Sequence, residues 1–448
     1  MSKIAIGLQQ SQAAQAADQS KMMNRVVVAS VFGTALETYD LYLYGTAAAL
    51  IFGTLFFPSS EPTISLILSL ATFAVSFIAR PFGSIVFGHY GDLIGRKKML
   101  YITILGMGLS TAAIGLLPPY QQVGILAPVA LSFLRFVQGF AFAGEYSGAV
   151  LMLVEHAPPE KRGFYAGLNN VGPVFGFIAS SGLFLAIASM MSNEAFLDWG
   201  WRIPFLVSLL LVVVGLYVRT RVPESPVFEA ATRKRSAGKS AGAWPLVRLL
   251  KNHPKELVLA SGAHICHFAT FYLFTVFTLS YGTNTLGVSR TSVISITMIA
   301  VAMFLFAIPY AARKSDKYGR RRTLIFGFLA IAVTIFPFWA LFNTANYFLM
   351  LAGSCALMIA VSFVYGVLPS YAAELFDTDV RFSGSALAYN VGGILGAAIS
   401  PIVATMLLAH FGSIYPVGAY IAFLAIISMT CVVLSPETKE KDLHAKAA

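Results

Sequence analysis

The sequence GHYGDLIGRKK at residues 88–98 returns in altered form as ARKSDKYGRRR at residues 312–322, and this repetition predicts the fold. Asp92 corresponds to Asp316, and 316 minus 92 gives a separation of 224, which is half of the 448 residues. The copies also share Gly95 with Gly319, and Arg96 with Arg320. Further matches in the same order are Glu155 and Arg162 with Glu374 and Arg381, and Pro-Glu at 223–224 with Pro-Glu at 436–437. A tandem duplication is therefore predicted.

The composition excludes several classes of soluble protein. Hydrophobic residues make up 57% of the chain and charged residues only 11%, and the mean hydropathy is +0.74. A soluble domain carries about 25% charged residues, so we exclude a soluble enzyme, a disordered chain and a nucleic-acid-binding protein. Cys266, Cys355 and Cys431 lie singly in apolar stretches, so no disulfide framework and no metal site is expected.

The apolar residues form long continuous stretches. A membrane-spanning helix needs about 20 mostly apolar residues, whereas a membrane barrel is built from short strands of alternating hydrophobicity. The sequence therefore predicts an all-α membrane protein with twelve transmembrane helices, named spans 1 to 12. Their predicted ranges are 26–56, 64–88, 99–117, 126–154, 163–190, 203–220, 256–282, 291–312, 323–341, 347–374, 382–409 and 414–434.

The basic residues orient these spans in a cytoplasmic (inner) membrane. With a cytoplasmic N-terminus, all but four of the 31 Lys and Arg residues fall in cytoplasmic tails and loops, the exceptions being Arg80, Arg135, Arg202 and Arg290. Cytoplasmic loops are rich in Lys and Arg, so both termini are predicted to be cytoplasmic. The net charge of +11 is attributed to this topology and to contact with anionic lipid.

The duplication and the spans together predict two six-helix bundles. The divisions are a tail at 1–25, a first bundle at 26–220, a linker at 221–255 with short surface helices, a second bundle at 256–434 and a tail at 435–448. Repeats of six spans around a site near the membrane midplane are the architecture of alternating-access transporters. Transport of a small molecule by one chain, as a monomer, is therefore the predicted function.

The repeated loops can hold the cytoplasmic side closed. Glycine permits a tight turn, and aspartate can accept hydrogen bonds at a helix start or pair with an arginine. A turn that only fixes the topology explains the same residues, and both interpretations stay open. The residues assigned to gating or conformational change are Arg80, Asp92, Arg96, Asp316, Arg320, Glu155, Arg162, Glu374 and Arg381.

Charged residues within the predicted spans indicate where a solute binds. A charge at mid-bilayer costs on the order of 3 kcal/mol on insertion scales, so it needs a partner or a wet cavity. The five clear cases are Glu37, Asp40, Arg80, Arg135 and Glu145, all in spans 1, 2 and 4. The alternative is a static network of buried ion pairs, Arg80 with Glu37 and Arg135 with Asp40 or Glu145.

Helical spacing suggests a role for each charge. Glu37, Asp40 and Tyr44 share one face of span 1 at i, i+3 and i+7, and Gln138 lies near Arg135 on span 4. Arg135 is predicted to bind a substrate carboxylate, because its planar fork matches that group. Asp40 and Glu37 are the candidates for carrying the proton. The remaining candidates for substrate binding are Tyr44, Gln138, Glu145, His264, His267 and Asn390, with polar packing between helices as the alternative.

Several segments in combination resemble the major facilitator superfamily and, within it, the metabolite:proton symporter family. Besides the two repeated loops they are ETYDLYLYG at 37–45, RPFG at 80–83, RFVQG at 135–139, WGWRIP at 199–204, PESPVFE at 223–229 and VRFSG at 380–384. The resemblance implies the twelve-helix major facilitator fold and proton-coupled uptake of a carboxylate or a zwitterion such as shikimate, 2-oxoglutarate, citrate, proline or betaine. The family pattern differs from this chain at Thr38 and at residues 143–146.

Other functional classes are less favoured or excluded. A proton-coupled antiporter that exports a drug or metabolite is the alternative transport reaction, and Gly172-Pro173 partly resembles a motif of such proteins. An ATP-driven pump is disfavoured, because no phosphate-binding Gly-x-x-x-x-Gly-Lys-Ser/Thr loop is present. No catalytic constellation is recognisable, so the protein is not expected to be an enzyme. No cofactor is expected, since a proton gradient would supply the energy.

Overall fold

The structure is a computed structural model that describes residues 2–94, 96–142, 145–221, 245–377 and 380–441. Side chains at 2–21, 25, 88–98, 100, 145–147, 218–221 and 245–246 lie outside this description. The described residues form helices and connecting turns, with no strand among them. The prediction of an all-α protein is confirmed.

Twelve apolar helical segments follow one another in the predicted order. Among the described residues, nine helices are long and apolar enough to cross a membrane. A tenth span consists of two helices, Asn193–Gly200 and Arg202–Tyr217, that meet at an angle of 42°. The shorter apolar helices Tyr101–Leu116 and Leu126–Phe142 stand at the positions of spans 3 and 4. The twelve-helix prediction is therefore confirmed.

Most spans are built from more than one helical piece. The first half, spans 1 to 6, comprises in order Ser2–Ala47, Ala48–Phe52 and Gly53–Phe56; Pro62–Ile94; Arg96–Leu116; Leu126–Phe142 and Glu145–His156; Arg162–Leu168, Asn169–Val171 and Gly172–Met190; and Asn193–Ala195, Phe196–Gly200 and Arg202–Arg221. Short turns at Tyr120–Val123 and Pro159–Lys161 lie between these spans.

The second half, spans 7 to 12, has the same organisation. It comprises Pro254–Tyr272, Leu273–Phe277, Thr278–Ser280 and Tyr281–Thr285; Arg290–Ala302 and Phe304–Tyr318; Arg320–Phe342; Tyr347–Tyr365 and Leu368–Leu375; Arg381–Gly393, Ile394–Ala398 and Ser400–Phe411; and Tyr415–Val433. The helix Pro245–Asn252 precedes span 7 within the predicted linker, where short surface helices were expected. Wide π-type turns at Leu273–Phe277 and Ile394–Ala398 interrupt spans 7 and 11, as is common near functional sites.

Glycines set the closest helix crossings. A side chain at Gly139 of span 4 would overlap the backbone of Ser76 in span 2, so these two helices touch backbone to backbone. Arg135 lies one turn away from this crossing and is thereby held against span 2. Gly172 and Gly176 of span 5 likewise lie against Thr34 and Thr38 of span 1, and this close packing accounts for the Gly172-Pro173 segment.

The halves meet along several spans. Span 2 contacts span 11, span 5 contacts span 8, and span 1 contacts span 7. Proteins with two such bundles place their binding site between them. The predicted divisions at 26–220 and 256–434 remain a prediction.

Candidate functional site

Arg135 occupies a buried position between spans 1, 2 and 4. Its side chain is completely buried, and its guanidinium carbon lies 3.8 Å from the centre of the Tyr44 ring. Arg135 Nη1 donates a hydrogen bond to Gln138 Oε1, and Gln138 Nε2 donates to Thr111 Oγ1 at 2.7 Å. The Tyr44 hydroxyl is hydrogen-bonded to Thr72, which fixes the ring beneath the cation.

The remaining edge of the Arg135 guanidinium is open. Its Nε and Nη2 atoms are buried and have no hydrogen-bond partner among the described residues. The same two nitrogens of Arg320 hold the Glu374 carboxylate at 3.1 Å and 3.0 Å. The chain thus contains its own example of how this edge binds a carboxylate in a bidentate manner, and Arg135 presents that edge unfilled.

Asp40 is the acidic residue that the sequence predicts to act together with this arginine. It is 5% exposed, it attracts Arg135 electrostatically, and it lies beside the Thr111 hydroxyl. Its Oδ1 atom has no hydrogen-bond partner in the described part of the chain. The ion pairs formed by the described residues do not include Arg135 with Asp40, so that static pair is absent from this conformation.

Arg80 is a second buried cation in the same region. Its guanidinium is sandwiched between the rings of Phe77 and Phe142, whose centres are 4.0 Å and 4.1 Å away. Glu37, also buried, attracts it electrostatically, but the ion pairs of the described residues do not include Arg80 with Glu37. Arg80 therefore lies in the buried centre, and its assignment to gating stays a prediction.

Tyr272 and a buried histidine pair come from span 7 in the second half. Tyr272 of span 7 packs between Phe73 and Phe77, with ring centres 5.5 Å and 5.4 Å away, and interacts with both guanidiniums. His264 and His267 are also buried and lie 5.2 Å apart. Neither ring nitrogen of His264 has a hydrogen-bond partner among the described residues. The buried cations of the first half thus lie near Tyr272 of the second half, and the predicted role of His264 and His267 in substrate binding stays a prediction.

Asn390 lies at the boundary between the halves. Its amide donates to the Ser84 hydroxyl at 3.2 Å and so joins span 11 to span 2. Asn170 makes a comparable bond from span 5 to the Tyr365 carbonyl of span 10, at 2.5 Å. Such bonds must break when the halves separate, and the predicted role of Asn390 in substrate binding stays a prediction.

A contact that we call the latch, formed by Asp316 with the backbone of Gly163 and Phe164, joins the halves on the side that the sequence predicts to be cytoplasmic. Both backbone N–H groups donate to the Asp316 carboxylate at 2.8 Å, at the start of the helix Arg162–Leu168. A carboxylate is stabilised at a helix N-terminus by the unpaired N–H groups and the helix dipole. A Cβ at position 163 would lie 2.6 Å from Asp316 Oδ1, so glycine is required for this approach.

Neighbouring charges orient the latch. Arg320 donates to Asp316 at 2.7 Å and, through its other edge, to Glu374. Thr438 donates to Glu374 at 2.9 Å, and Glu437 accepts from the backbone N–H of Arg320 at 2.9 Å. The repeated motif of the second half therefore forms a hydrogen-bonded network in which Glu374 pairs with Arg320.

The other residues assigned to gating are placed as follows. Arg162 Nη1 donates to the Lys441 carbonyl at 3.3 Å, and Glu155 attracts Arg381 across the boundary between the halves. Arg381 Nε donates to the Phe376 carbonyl at 3.4 Å. The side chains of Asp92, Arg96 and Glu145 lie outside the described residues, so their predicted roles remain predictions.

Replacing Asp316 by Asn is expected to open the cytoplasmic side about tenfold more often. A hydrogen bond to a charged group contributes about 1.5–3 kcal/mol, and 1.4 kcal/mol is a factor of ten. The measurement is the rate of maleimide labelling of Ser84→Cys, with Cys266, Cys355 and Cys431 replaced by Ser. Asp377→Asn is the matched control. It also replaces a hydrogen-bonded carboxylate, whose pKa is lowered by the hydrogen bond from Lys441 Nζ, but this bond does not join the two halves. An unchanged labelling rate in Asp316→Asn would contradict the latch.

Sequence reasoning missed several residues that complete the site. Thr111, Tyr272 and the pair Phe73 and Phe77 were not singled out, because a buried threonine or aromatic residue in an apolar span has no distinguishing pattern. The spacing of Phe73, Phe77 and Arg80 as i, i+4 and i+7 was the available signal, since it places two rings on the face of a buried cation.

Known proteins similar to this chain are transporters. The family model described as "Sugar (and other) transporter" matches residues 26–248, and the model described as "Major Facilitator Superfamily" matches residues 259–448. The inner membrane metabolite transport protein YhjE of Escherichia coli is 39% identical over 425 residues, covering 94% of this chain and 96% of that protein. The shikimate transporter of the same organism is 36% identical, covering 93% and 95%.

The fold is also found among solved structures. The structure of the proton:xylose symporter XylE bound to 6-bromo-6-deoxy-D-glucose matches with a TM-score of 0.75 at 18% identity. The match covers 95% of this chain and 98% of that one. The helical fold, the repeated loops and these similarities together lead to one conclusion: the chain belongs to the major facilitator superfamily and is a membrane transporter of small-molecule metabolites.

Proposed function

We propose that this transporter takes up a small organic carboxylate, or a zwitterion that carries one, together with protons. The observation that supports the proposal most strongly is the unfilled Nε and Nη2 edge of Arg135 beside Asp40. A buried charge without a close partner is costly, and a substrate carboxylate would supply that partner. The shikimate transporter, similar along nearly its whole length, is named for a carboxylate substrate, which is consistent with this chemistry.

Charge balance provides the coupling. With Asp40 ionised, its charge opposes that of Arg135 through space, and an anionic substrate would meet electrostatic competition. With Asp40 protonated, the cation is uncompensated and attracts the carboxylate. Proton and anion therefore bind together, and Glu37, close to Arg80, is the second candidate for a proton carrier. The buried histidine pair, His264 and His267, would contact the remainder of the substrate.

The direction of coupling can be tested in reconstituted vesicles. A thermal-shift screen with shikimate, 2-oxoglutarate, citrate, proline and glycine betaine identifies a ligand, which is then followed as a radiolabelled solute. Acid outside and neutral inside should drive accumulation at least several-fold above the level without a pH gradient. An antiporter exporting a drug or metabolite would instead accumulate solute when the inside is acidic, and that result would overturn the symport proposal.

We also propose that one chain forms the complete path, in an inner membrane and with both termini in the cytoplasm. A facilitator of this size needs only one chain to form a path, and the proton gradient supplies the energy without a cofactor. A mass measured by light scattering that corresponds to two protein chains, after subtraction of detergent and lipid, would contradict the monomer. Protease sensitivity of the tails in right-side-out vesicles would contradict the topology.

A further inference from the structure

Two polar side chains lie between Asp40, the candidate proton carrier, and Arg135, the candidate for binding the substrate. Thr111 of span 3 is completely buried and lies beside Asp40. It accepts a hydrogen bond from Gln138 at 2.7 Å, and Gln138 in turn accepts one from Arg135. We propose that Thr111 and Gln138 form a relay through which protonation of Asp40 loosens the hold on Arg135 and so prepares it for a carboxylate.

The direction of the effect follows from the hydrogen-bonding capacity of a hydroxyl group. Thr111 has one proton to donate and two lone pairs that accept. In the structure this proton is directed to the Met107 carbonyl at 2.9 Å, one turn earlier in the same helix. An ionised Asp40 accepts the Thr111 proton instead, because a charged acceptor forms the stronger bond. Donation to a carboxylate makes the Thr111 oxygen a better acceptor, which strengthens the bond from Gln138.

Protonation of Asp40 reverses this order. The carboxyl group becomes a donor, so Thr111 returns its own proton to Met107 and accepts from Asp40 and Gln138 at once. Two donors on one oxygen compete, and the bond from Gln138 weakens. The Gln138 amide is then a poorer acceptor for Arg135 Nη1, and the guanidinium is freer to align with a ligand. A protonated Asp40 therefore favours carboxylate binding through the relay as well as through charge.

The surroundings of Asp40 restrict what else acts on it. Arg135 of span 4 is the cation that attracts Asp40, and on its own span Tyr39 is the adjacent phenol and Glu37 is the acid one turn away. Spans 4, 5 and 6 also pack against span 1, and the other charged residues of their contacting helices lie at helix ends: Glu145, Glu155, Arg162, Arg202, Arg219 and Arg221. The direct attraction between Asp40 and Arg135 persists in any Thr111 variant. The relay is consequently expected to carry part of the coupling and not all of it.

The relay rests on the proposed function, and the experiment separates the two. The dissociation constant of the best ligand from the five-compound panel is measured at pH 5.5 and pH 7.5 for the full-length protein. Coupling between two sites commonly amounts to a factor of 5 to 150 in affinity, so a ratio of about ten is expected for the wild type. Thr111→Val keeps the shape and removes the hydroxyl, and its ratio should fall to about three. Thr111→Ser should restore the wild-type ratio.

Two further variants exclude a merely structural role. Thr405→Val is the control, since Thr405 makes the same hydrogen bond one turn back, to the Pro401 carbonyl, and should leave the ratio unchanged. Gln138→Met should lower the ratio in the wild-type background but have no effect beside Thr111→Val, because both then interrupt one path. A wild-type ratio in Thr111→Val, or equal effects of Gln138→Met in both backgrounds, would overturn the relay while leaving symport intact. Absence of binding by every panel compound would overturn the proposed function and the relay together.

Discussion

Asp40→Asn is expected to abolish proton-driven accumulation while the exchange of substrate across the membrane continues. Asparagine has the shape of aspartic acid and cannot release a proton, so it imitates the state that favours binding. The variant should therefore reach the same internal and external concentrations as a passive carrier. Uptake by the wild type should increase as the external pH falls, and uptake by Asp40→Asn should be independent of external pH.

The measurement is accumulation and counterflow in the same vesicles. Net accumulation should fall by at least tenfold, whereas counterflow exchange should stay within about threefold of the wild type. Asp377→Asn again serves as the control, because Asp377 pairs with Lys441 at 3.0 Å, away from the site. Glu37→Gln in parallel tests the second proton candidate. Accumulation that survives in Asp40→Asn with an unchanged pH dependence would show that Asp40 does not carry the proton.

Arg135→Gln is expected to weaken substrate binding about 100-fold without destabilising the empty protein. A bidentate, charge-assisted contact contributes about 3 kcal/mol, and each 1.4 kcal/mol is a factor of ten. In the empty protein, two nitrogens of Arg135 are buried without a partner among the described residues. Burying a charged group is costly unless it is fully paired and hydrogen-bonded, so replacing Arg135 also removes a desolvation cost. The melting temperature of the apo protein should therefore be unchanged or higher.

This combination separates a binding residue from a structural one. Thermal denaturation is measured with and without ligand, and the ligand-induced increase should disappear in Arg135→Gln. Arg135→Lys keeps the charge but loses the planar fork, so its affinity should also fall by at least tenfold. Arg202→Lys is the control, because Arg202 lies at the start of the helix Arg202–Arg221 and donates hydrogen bonds to the carbonyls of Gly115 and Leu117 at the end of span 3. A large drop in the melting temperature of apo Arg135→Gln would mean that Arg135 supports the fold and not the ligand.

Much of the architecture follows from the sequence because hydropathy is a local property. A helix of about 20 apolar residues has the length and hydrophobicity to cross the membrane, whichever helices pack beside it. The twelve predicted spans consequently coincide with helical segments, although the helix of span 1 begins at Ser2 and not near residue 26. Continuous hydropathy could not show the wide turns in spans 7 and 11, since these depend on packing against neighbouring helices.

The charged residues show which properties follow from the sequence and which follow only from the tertiary structure. The cost of burying a charge is a property of the residue type, so the sequence alone marked Asp40 and Arg135 as candidates for a function. The repeated motifs placed both Glu374 and Arg320 among the gating candidates, and the structure shows that Arg320, 54 residues away, is the bidentate partner of Glu374. Spacing along a helix cannot show which neighbouring helix supplies the partner.

By itself, then, the sequence determined that the chain is a duplicated, twelve-span membrane protein with buried ionisable groups in its first half. Those features depend on the free energy of transferring each segment from water, which is nearly additive along the chain. Only the tertiary structure showed that Gln138 is hydrogen-bonded to both Thr111 and Arg135, and that Nε and Nη2 of Arg135 have no hydrogen-bond partner among the described residues. Hydrogen bonds are short and directional, so they are fixed by how three helices pack, and no local pattern encodes that arrangement.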